Sequence, residues 1–438
     1  LRVVAATLWL GSAAIATWAD EDLAEWLRDH VVPIQSLDTT RSDSTDLLEL
    51  SRYFADTNLV LLGEATRGDG TTFEAKTRLV RFLHEHLGFD VLVFECGLFD
   101  CHRAWQQIRH GRSSRDALGE ALFPLYVESQ QFQALLDLVD QSARGKHPLE
   151  VAGIDSQLGP SALQPLRDGL GEALAACDDT TKSNKDRDST WEVLRHVADG
   201  SYSSGLMPLP GPGIRQQITE QLDHFSEILE CSNGEEDPAF WRQVVVNLRW
   251  AMELTWELGR WDARQTMSPA IHNLRDAQMA ENLTWLRQHQ YSDRKMIVWS
   301  LTLHLTRQLG ELETGETATA ERFRRFELLG ERLPSELEPD PYVVAFTAFQ
   351  GRKGSIFQQP HELLVPTPGS LEHLMGQTGL EGAFLDLQSL RRLEGGKWLN
   401  RPLIARPIAF KELRGIWPRH VDAFFFIRTL QAARRSVE

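Results

Sequence analysis

The sequence is poor in cysteine and in basic residues. Its four cysteines are too few and too scattered for a disulfide framework, and no CxxC pair of the metal-binding type occurs. The balance of 46 basic against 62 acidic residues gives a formal net charge of −16. That balance argues against a nucleic-acid or anionic-membrane surface, because phosphate groups need clustered Lys and Arg. We therefore expect no metal, no cofactor and no nucleic-acid partner. We expect Cys96 to be a small core residue.

Several catalytic motifs are also missing. The chain has no GxSxG nucleophile elbow and no HExxH zinc motif. Its one glycine-rich piece, RGDG at residues 67–70, fits neither a P-loop nor a dinucleotide fingerprint. No internal repeat is visible, and no run after the N-terminal stretch is long and apolar enough to span a bilayer.

The N-terminal stretch leaves two alternatives open. Val3 to Ala16 is apolar, follows Arg2, and leads into Thr17-Trp18-Ala19, where small residues surround a possible cleavage position. That pattern is typical of a secretory signal peptide, and the alternative is a first helix packed on the domain. The protein is accordingly expected to be either exported or cytoplasmic.

The stretch from Asn58 to Gly97 organises the rest of the chain. Leu59–Leu62 and Val91–Phe94 are short apolar runs that predict buried strands, and Thr71 to Leu87 has the spacing of an amphipathic helix. A strand–helix–strand unit of this length predicts two parallel strands, which we expect to be neighbours.

Acidic residues close both of these strands. Glu64 follows the first and Glu95 follows the second. If the strands are neighbours, the two carboxylates lie side by side at the carboxyl edge of the sheet, where open α/β sheets bind their ligands.

Two further strands end in ionisable groups. Leu149–Ile154 is followed by Asp155, and Met296–Trp299 leads to His304. A single acid after a strand is usually a helix cap or a solvated loop residue. Four ionisable groups at one predicted edge instead indicate a site that activates water or positions a hydroxyl group.

The strand pattern defines the predicted architecture. Strand signals vanish between about residues 160 and 290 and then resume. We predict an α/β fold with a mostly parallel central sheet flanked by helices, built from residues 20–159 and 291–438. Residues 160–290 form a helical insertion that caps the carboxyl edge, and residues 1–19 form the signal peptide or first helix.

The motifs resemble those of the erythromycin esterase family. LVLLGEATRGDG, residues 59–70, is similar to the family's Gly-Glu-Ala/Ser-Thr-His-Gly signature, and FECG, residues 94–97, to its next strand end. The family's third strand end is similar to residues 153–157, GIDSQ, and its Arg-Asp helix to residues 275–286, RDAQMAENLTWL. A family strand with the pattern Trp-Ala-His-Asn-x-His resembles residues 297–304, IVWSLTLH. The resemblance covers nearly everything after about residue 22.

The resemblance implies a hydrolase in which a histidine and carboxylates activate water. It implies functional positions at the following residues: Glu64, Lys76, Glu95, Arg275 and His304. We predict Glu64, Glu95 and His304 as catalytic residues, and Arg67, Lys76, Asp155 and Arg275 as substrate-binding residues.

Two positions depart from the family pattern. The signature histidine is Arg67 here, and the first histidine of the Trp-Ala-His-Asn stretch is Leu301. Arginine cannot act as a general base near neutral pH, and leucine cannot exchange a proton. His304 remains the candidate base, and we expect Arg67 to lie between Glu64 and Glu95.

Two functions remain open on the sequence. The first is an esterase-like hydrolase acting on an ester, lactone or related small molecule, inefficient on macrolides. The second is a non-catalytic relative that binds a polar small molecule.

Overall fold

The described part of the chain begins after the apolar N-terminal stretch. The computed structural model describes residues 20–41, 43–177, 185–230, 238–261, 268–333, 337 and 340–436, with the backbone alone for residues 185–189. Residues 1–19, predicted as a signal peptide or first helix, lie outside the described residues.

A central sheet holds the fold together. The strands are β1 (Val32–Ile34), β2 (Leu59–Glu64), β3 (Phe89–Gly97), β4 (Glu150–Asp155), β5 (Lys295–Leu301), β6 (Tyr342–Lys353), β7 (His361–Glu362), β8 (Gly382–Asp386), β9 (Leu403–Ile408), β10 (Lys411–Gly415) and β11 (Ala423–Leu430). Their order in the main sheet is β1-β8-β11-β6-β2-β5-β3-β4, with β7 paired to β6, and β9 and β10 form a separate hairpin. The six strands from β11 to β4 are mutually parallel, β8 runs antiparallel to them, and β1 pairs antiparallel with β8. The predicted mostly parallel α/β fold is confirmed.

Helices cover both faces of this sheet. They are α1 (Asp20–His30), α2 (Ser51–Phe54), α3 (Gly70–Leu87), α4 (Leu98–Arg109), α5 (Ser114–Gly119), α6 (Pro124–Val127), α7 (Gln133–Ala143), α8 (Leu163–Cys177), α9 (Lys185–Ala198), α10 (Pro212–Ile228), α11 (Pro238–Arg260), α12 (Pro269–Trp285), α13 (Thr302–Leu305), α14 (Thr317–Phe323), α15 (Leu329–Arg332), α16 (Leu371–Gln377) and α17 (Leu387–Leu390). A short π-helix, Leu286–Gln290, continues α12. Within the described residues, no helix is both long enough and apolar enough to cross a membrane.

The predicted strand–helix–strand unit forms, but its two strands are not neighbours. Helix α3 ends at Gly88, which has φ +71° and closes the helix in the left-handed conformation that glycine adopts without strain. Strand β5, which comes some 200 residues later in the chain, inserts between β2 and β3 and pairs with both. The prediction that β2 and β3 are adjacent is therefore wrong. The pairing of β5 is non-local, and the local pattern of apolar residues carries no information about it.

Strand alternation places the two glutamates on opposite faces of the sheet. Val60 and Leu62 pack in the core on the α3 side, and Glu64 continues that series. Val91 and Val93 pack in the core on the α12 side, and Glu95 continues that one. The carboxylates lie at the same edge of the sheet but are not side by side as expected.

The segment between β4 and β5 is helical, as predicted. Helices α8 to α12 lie in it, and its described residues contain no strand. Buried residues of α12, Met279 and Leu283, belong to the core on the Glu95 side of the sheet. Whether the segment acts as a cap stays a prediction.

A disulfide joins Cys96 at the end of β3 to Cys101 in the first turn of α4. This bond was not predicted, because the four cysteines were judged too few and too scattered for a disulfide framework, although these two are five residues apart. Cys96 is buried, as expected of a core residue, but it is also cross-linked. The cross-link holds the residue that directly follows Glu95 against the start of α4.

Candidate functional site

Glu95 is the centre of a buried cluster of charged groups at the carboxyl edge of the sheet. Its Oε1 accepts hydrogen bonds from Arg67 and, at 2.7 Å, from Nη2 of Arg275. Its Oε2 accepts one from the hydroxyl of Ser300 at 2.8 Å. Arg275 also donates to Oδ2 of Asp155, from Nε at 2.9 Å and from Nη2 at 2.5 Å. We call these five residues the Glu95 cluster.

Opposing charges stabilise this cluster. Burial disfavours the charged form of Arg275, but the carboxylates of Asp155 and Asp276 together outweigh that effect and raise the pKa of the guanidinium above its usual value. Arg275 comes from α12, so the predicted placement of this side chain at the sheet edge is confirmed. The guanidinium of Arg275 pairs with two carboxylates on different strands, Glu95 on β3 and Asp155 on β4.

His304 lies beside the Glu95 cluster, and one of its ring nitrogens is hydrogen-bonded to Asp276. Its Nδ1 lies 2.7 Å from Oδ1 of Asp276, which also accepts the backbone N–H of Leu329 at 2.9 Å. A carboxylate can only accept, so Nδ1 donates to Asp276. Nε2 lies 3.4 Å from Oε1 of Glu95, and His304 is only 2% exposed.

Glu64 belongs to a second cluster, on the other face of the sheet. Its carboxylate accepts hydrogen bonds from the hydroxyl of Tyr126 at 2.6 Å, from Nε1 of Trp299 at 3.0 Å and from Nζ of Lys76 at 3.1 Å. The ammonium group also lies over the Trp299 ring, 4.1 Å from its centroid. We call these four residues the Glu64 cluster.

The Glu64 cluster is sealed from solvent. Burial lowers the pKa of Lys76 to about 8, although the neighbouring Glu64 carboxylate opposes the shift. Burial, reinforced by the same carboxylate, raises the pKa of Tyr126 well above its usual value, so the phenol stays a donor. Ser300 links the two clusters, because its carbonyl lies 3.4 Å from Nζ of Lys76 while its hydroxyl binds Glu95.

Arg67 reaches only one of the two carboxylates that it was predicted to join. It pairs with Glu95, packs its guanidinium over the Phe123 ring at 5.0 Å, and has a side chain that is 24% exposed. Among the described contacts it makes no ion pair with Glu64, because alternation turns that carboxylate to the α3 side. Arg67 is instead the most exposed member of the Glu95 cluster.

The loop that carries Arg67 is fixed by close backbone packing. Gly68 has φ +117°, and a Cβ there would come within 2.5 Å of Ser355. The next residue, Asp69, accepts a hydrogen bond from the Thr66 hydroxyl at 2.6 Å. The carbonyl of Gly68 also accepts the N–H of Ala433, at 2.9 Å. The position of Arg67 therefore depends on contacts that are distant in sequence.

Leu301 stands where the resemblance expects a histidine. It is the last residue of β5 and is in register with Glu64 on β2. Its side chain is half-buried and has no group that can exchange a proton. Of the two positions at which the family motif has a histidine on this strand, the chain keeps an imidazole at one, His304.

Sequence reasoning missed four residues that complete the two clusters: Tyr126, Asp276, Trp299 and Ser300. Asp276 directly follows Arg275, and helical spacing alone does not say which of the two faces the histidine. Trp299 and Ser300 lie on a strand that was predicted, but on faces that a single sequence does not assign. Tyr126 lies in the short helix α6, which no pattern in the sequence predicted.

Several buried polar atoms around the clusters have spare hydrogen-bonding capacity. Among the described residues, Arg67 Nε, Asp155 Oδ1, Asp276 Oδ2 and Thr302 Oγ1 are buried without a hydrogen-bond partner. Buried polar atoms are normally paired, so these four atoms leave hydrogen-bonding capacity at this sheet edge. No group of three His, Cys, Asp or Glu side chains in the described ranges is placed to hold a metal ion.

A separate groove lies on the outer side of the helical segment. It has a volume of about 450 Å³ and is lined by residues of α11, α12, the π-helix and α15, including Glu281, Trp285, His289 and Arg332. None of the residues that line it belongs to either cluster.

The fold and the two clusters define an α/β protein with a buried carboxylate–arginine–histidine site at the carboxyl edge of its sheet. Residues 84–430 match the family model for erythromycin esterase. The chain belongs to the erythromycin esterase family. The matched range begins after Glu64, Arg67 and Lys76, so the departure at Arg67 lies outside it.

Individual relatives agree with this assignment at low identity. The chain is 22% identical to "Putative hydrolase YbfO" of Bacillus subtilis (strain 168) over 414 residues, covering 92% of this chain and 90% of that protein. It is 21% identical to erythromycin esterase type II of Escherichia coli over 403 residues, covering 84% and 90%. A crystal structure of a Bacillus cereus protein matches with a TM-score of 0.76 at 17% identity, covering 96% of this chain and all of that one. This last likeness shows the shared fold alone.

Proposed function

We propose that the protein hydrolyses an ester, a lactone or a related small molecule by activating water with His304, and that it is not an efficient macrolide esterase. The observation that carries the proposal is the arrangement of His304. Asp276 holds its Nδ1 at 2.7 Å, and Nε2 faces Glu95 at 3.4 Å. A histidine oriented by a carboxylate on one nitrogen is the arrangement that general-base catalysis requires on the other.

The proposed reaction starts from a water molecule at Nε2. Because His304 is 2% exposed, it reaches the substrate through this water and not directly. Nε2 takes a proton as the water oxygen bonds to the carbonyl carbon, and the carbonyl π electrons move to the oxygen. The imidazolium then returns the proton to the leaving alkoxide as the C–O bond breaks. The products are an acid and an alcohol, or one hydroxy acid from a lactone.

Arg67 is proposed to stabilise the oxyanion. Of the groups bound to Glu95 Oε1 it is the more exposed, with 24% of its side chain accessible against 14% for Arg275. Its guanidinium carries five donors, of which Glu95 occupies only part. A fixed positive charge beside a developing negative charge lowers the barrier more than it stabilises the neutral ester. Arginine at this position thus supplies charge stabilisation where the family signature supplies an imidazole.

Glu64 and Lys76 are proposed to support the site from the other face. All the hydrogen bonds of the Glu64 carboxylate are made within the protein, and neither side chain is exposed. The catalytic role predicted for Glu64 therefore passes, in this proposal, to Glu95 and His304. Lys76 acts on the reaction through Ser300, and Asp155 through Arg275.

The helical segment, residues 160–290, is proposed to cap the site. The support for this is Arg275 and Asp276, which both extend from α12 to the sheet edge. The disulfide between Cys96 and Cys101 favours an exported protein over a cytoplasmic one, since such bonds persist in oxidising compartments.

The test is hydrolysis of a panel of aryl esters and of five- and six-membered lactones by the purified full chain. His304→Ala and Asp276→Asn should each lower kcat/KM by about 10²–10⁴-fold. His289→Ala is the matched control, because that histidine is exposed and stacks on Trp285 away from both clusters. If kcat/KM of His304→Ala is as close to the wild-type value as that of His289→Ala, His304 is not the base and the proposal is refuted.

A specific observation supports the second candidate, a non-catalytic binding protein. The Glu64 carboxylate is fully engaged, and Leu301 cannot exchange protons. In that case the panel would show no turnover, while ester or lactone compounds would still raise the melting temperature of the protein. Glu64→Gln should leave any such binding intact, since Glu64 is sealed on the far face.

A further inference from the structure

Asn273 lies one turn before Asp276 on α12 and holds a segment of chain that crosses this helix. The segment, residues 322–329, runs from the end of α14 into α15. The side-chain amide of Asn273 donates to the carbonyl of Arg325 at 2.9 Å, and its Oδ1 accepts the N–H of Glu327 at 2.9 Å. One side chain thus clamps both a carbonyl and an N–H of the crossing backbone.

The last residue of this segment, Leu329, is hydrogen-bonded to the carboxylate of Asp276, which also binds His304. Two residues beyond Glu327, the N–H of Leu329 donates to Oδ1 of Asp276 at 2.9 Å. Nδ1 of His304 approaches that same oxygen at 2.7 Å. The other oxygen, Oδ2, has no hydrogen-bond partner among the described residues. Among the described residues, the N–H of Leu329 and Nδ1 of His304 are the two hydrogen-bond donors that orient the Asp276 carboxylate.

The backbone beyond Leu329 is packed against the helix that carries His304. A Cβ at Gly330 would lie 2.3 Å from the carbonyl oxygen of Leu305, the residue that follows His304. Leu328 and Leu329 are wholly buried. A shift of the segment would thus move the N–H that orients Asp276 and would also press on α13.

We propose that Asn273 is a positioning residue for His304. It acts through the segment that it clamps, by way of the Leu329 N–H and the Asp276 carboxylate, and it touches neither substrate nor the reacting water. The effect of Asn273 on catalysis rests on the proposed function. The hydrogen bond between His304 and Asp276, which Asn273 is proposed to support, can be measured without a substrate. The amide supplies both a donor and an acceptor, so a residue with only one of the two should hold the segment only in part.

The measurement is the Nδ1–H proton of His304 in the ¹H–¹⁵N NMR spectrum of full-length protein labelled with ¹⁵N-histidine. Asp276→Asn should abolish the downfield resonance and so assign it. Asn273→Ala should speed exchange of that proton with solvent by about fivefold or more, as expected for losing hydrogen bonds that each shift an equilibrium several-fold. Asn273→Asp, which keeps the acceptor for Glu327 N–H, should give an intermediate rate.

The matched control is Gln216→Ala on α10, which removes another helix amide whose hydrogen bond, to Glu220, lies away from the segment. Equal exchange rates in wild type, Asn273→Ala and Gln216→Ala would overturn the proposal. If Asn273→Ala does not fold, Asn273→Asp decides, and a wild-type exchange rate in that variant overturns the proposal.

Kinetics separates this inference from the proposed function. Where the wild type hydrolyses a panel substrate, Asn273→Ala should lower kcat with little change in KM and should alter the pH profile, which a merely structural role would leave in place. A wild type without hydrolysis would refute the proposed function, whereas faster Nδ1–H exchange in Asn273→Ala would still support the positioning role.

Discussion

The ammonium group of Lys76 lies 3.1 Å from Oε2 of Glu64, and neither side chain has any exposed surface. This pair sits on the α3 face of the sheet, while the arginines that pair with Glu95 belong to the other cluster. The charges at the carboxyl edge are therefore neutralised separately on each face. Ser300 connects the two faces, because its carbonyl lies 3.4 Å from Nζ of Lys76 and its hydroxyl donates to Glu95, so changes on the two faces should not be strictly additive in their effects on stability.

Lys76→Met should lower the free energy of unfolding by about 3–5 kcal/mol, because it leaves the Glu64 carboxylate buried without its countercharge. Urea denaturation measures the change. Lys411→Met is the matched control, since Lys411 also pairs with a glutamate at 3.1 Å but on the surface. We expect no measurable loss there. The double variant Lys76→Met/Glu64→Gln should be more stable than Lys76→Met, and a further loss in the double variant would contradict this account.

Arg275→Ala should destabilise the protein more than Arg67→Ala. Removing Arg275 leaves Asp155 without its ion-pair partner and should cost about 3–5 kcal/mol. Removing Arg67 leaves Glu95 with Arg275 and Ser300, and the lost side chain is partly exposed, so about 1–2 kcal/mol is expected. Thermal unfolding of both variants gives the order. The reverse order would mean that Arg67 is the main countercharge of the cluster.

Macrolide lactones should be poor substrates. The wild-type protein has Arg67 and Leu301 where the family motif has histidines, and general acid–base groups contribute about 10²–10⁴-fold to a rate. Arg67→His should restore at most part of this factor, because Leu301 still lacks an imidazole. The measurement is erythromycin ring opening followed by mass spectrometry. Efficient opening by the wild type that disappears in His304→Ala would refute this expectation.

Asp100 should make stability depend on pH. Burial raises the pKa of this carboxyl to about 7, although the Gly159 N–H opposes the shift. A carboxyl whose pKa is higher in the folded state contributes stability at low pH that is lost as the pH rises from about 4 to about 7. Asp100→Asn lacks this titration, so its stability relative to wild type should rise by about 1–4 kcal/mol across that window and then stay level.

Urea denaturation of both proteins at pH 4.5, 6 and 8 measures this difference. Asp116→Asn, on the surface helix α5, is a matched control that should show no such trend. A stability difference between Asp100→Asn and wild type that does not change with pH would show that the folded protein does not raise the pKa of Asp100.

The sequence predicted the parts of the sheet better than their arrangement. Each of the four strands that carry Glu64, Glu95, Asp155 and His304 exists, because a short apolar run buried on both faces is a strong local signal. The insertion of β5 between β2 and β3 was not predictable, because pairing between strands so far apart in sequence depends on the whole chain. The short strand β1 and the separate β9–β10 hairpin were not predicted, because neither contains a long apolar run.

The same limit applies to the site. Arg275, Glu95, Asp155 and His304 meet as expected, since strand ends and one helix of the insertion converge at a single edge. Arg67 was expected to lie between Glu64 and Glu95; among the described contacts its ion pair is with Glu95, because strand alternation turns the Glu64 carboxylate to the α3 side, where it pairs with Lys76. Asp276 and Asn273 act through backbone groups of residues 322–329, and no side-chain pattern in the sequence records those contacts.

The position of β2 between β5 and β6 has a consequence for biosynthesis. The ribosome makes Leu59–Glu64 long before either of its partner strands, so this strand, apolar on both faces, emerges with neither of its edges covered. Contacts across such sequence separations slow folding and leave apolar faces and unpaired strand edges open to aggregation. A nascent chain that ends before Tyr342 would carry the segment of Glu64 and Arg67 without the sheet that orients it. Production of the folded protein should therefore depend on chaperones that shield the amino-terminal half until β6 has been synthesised.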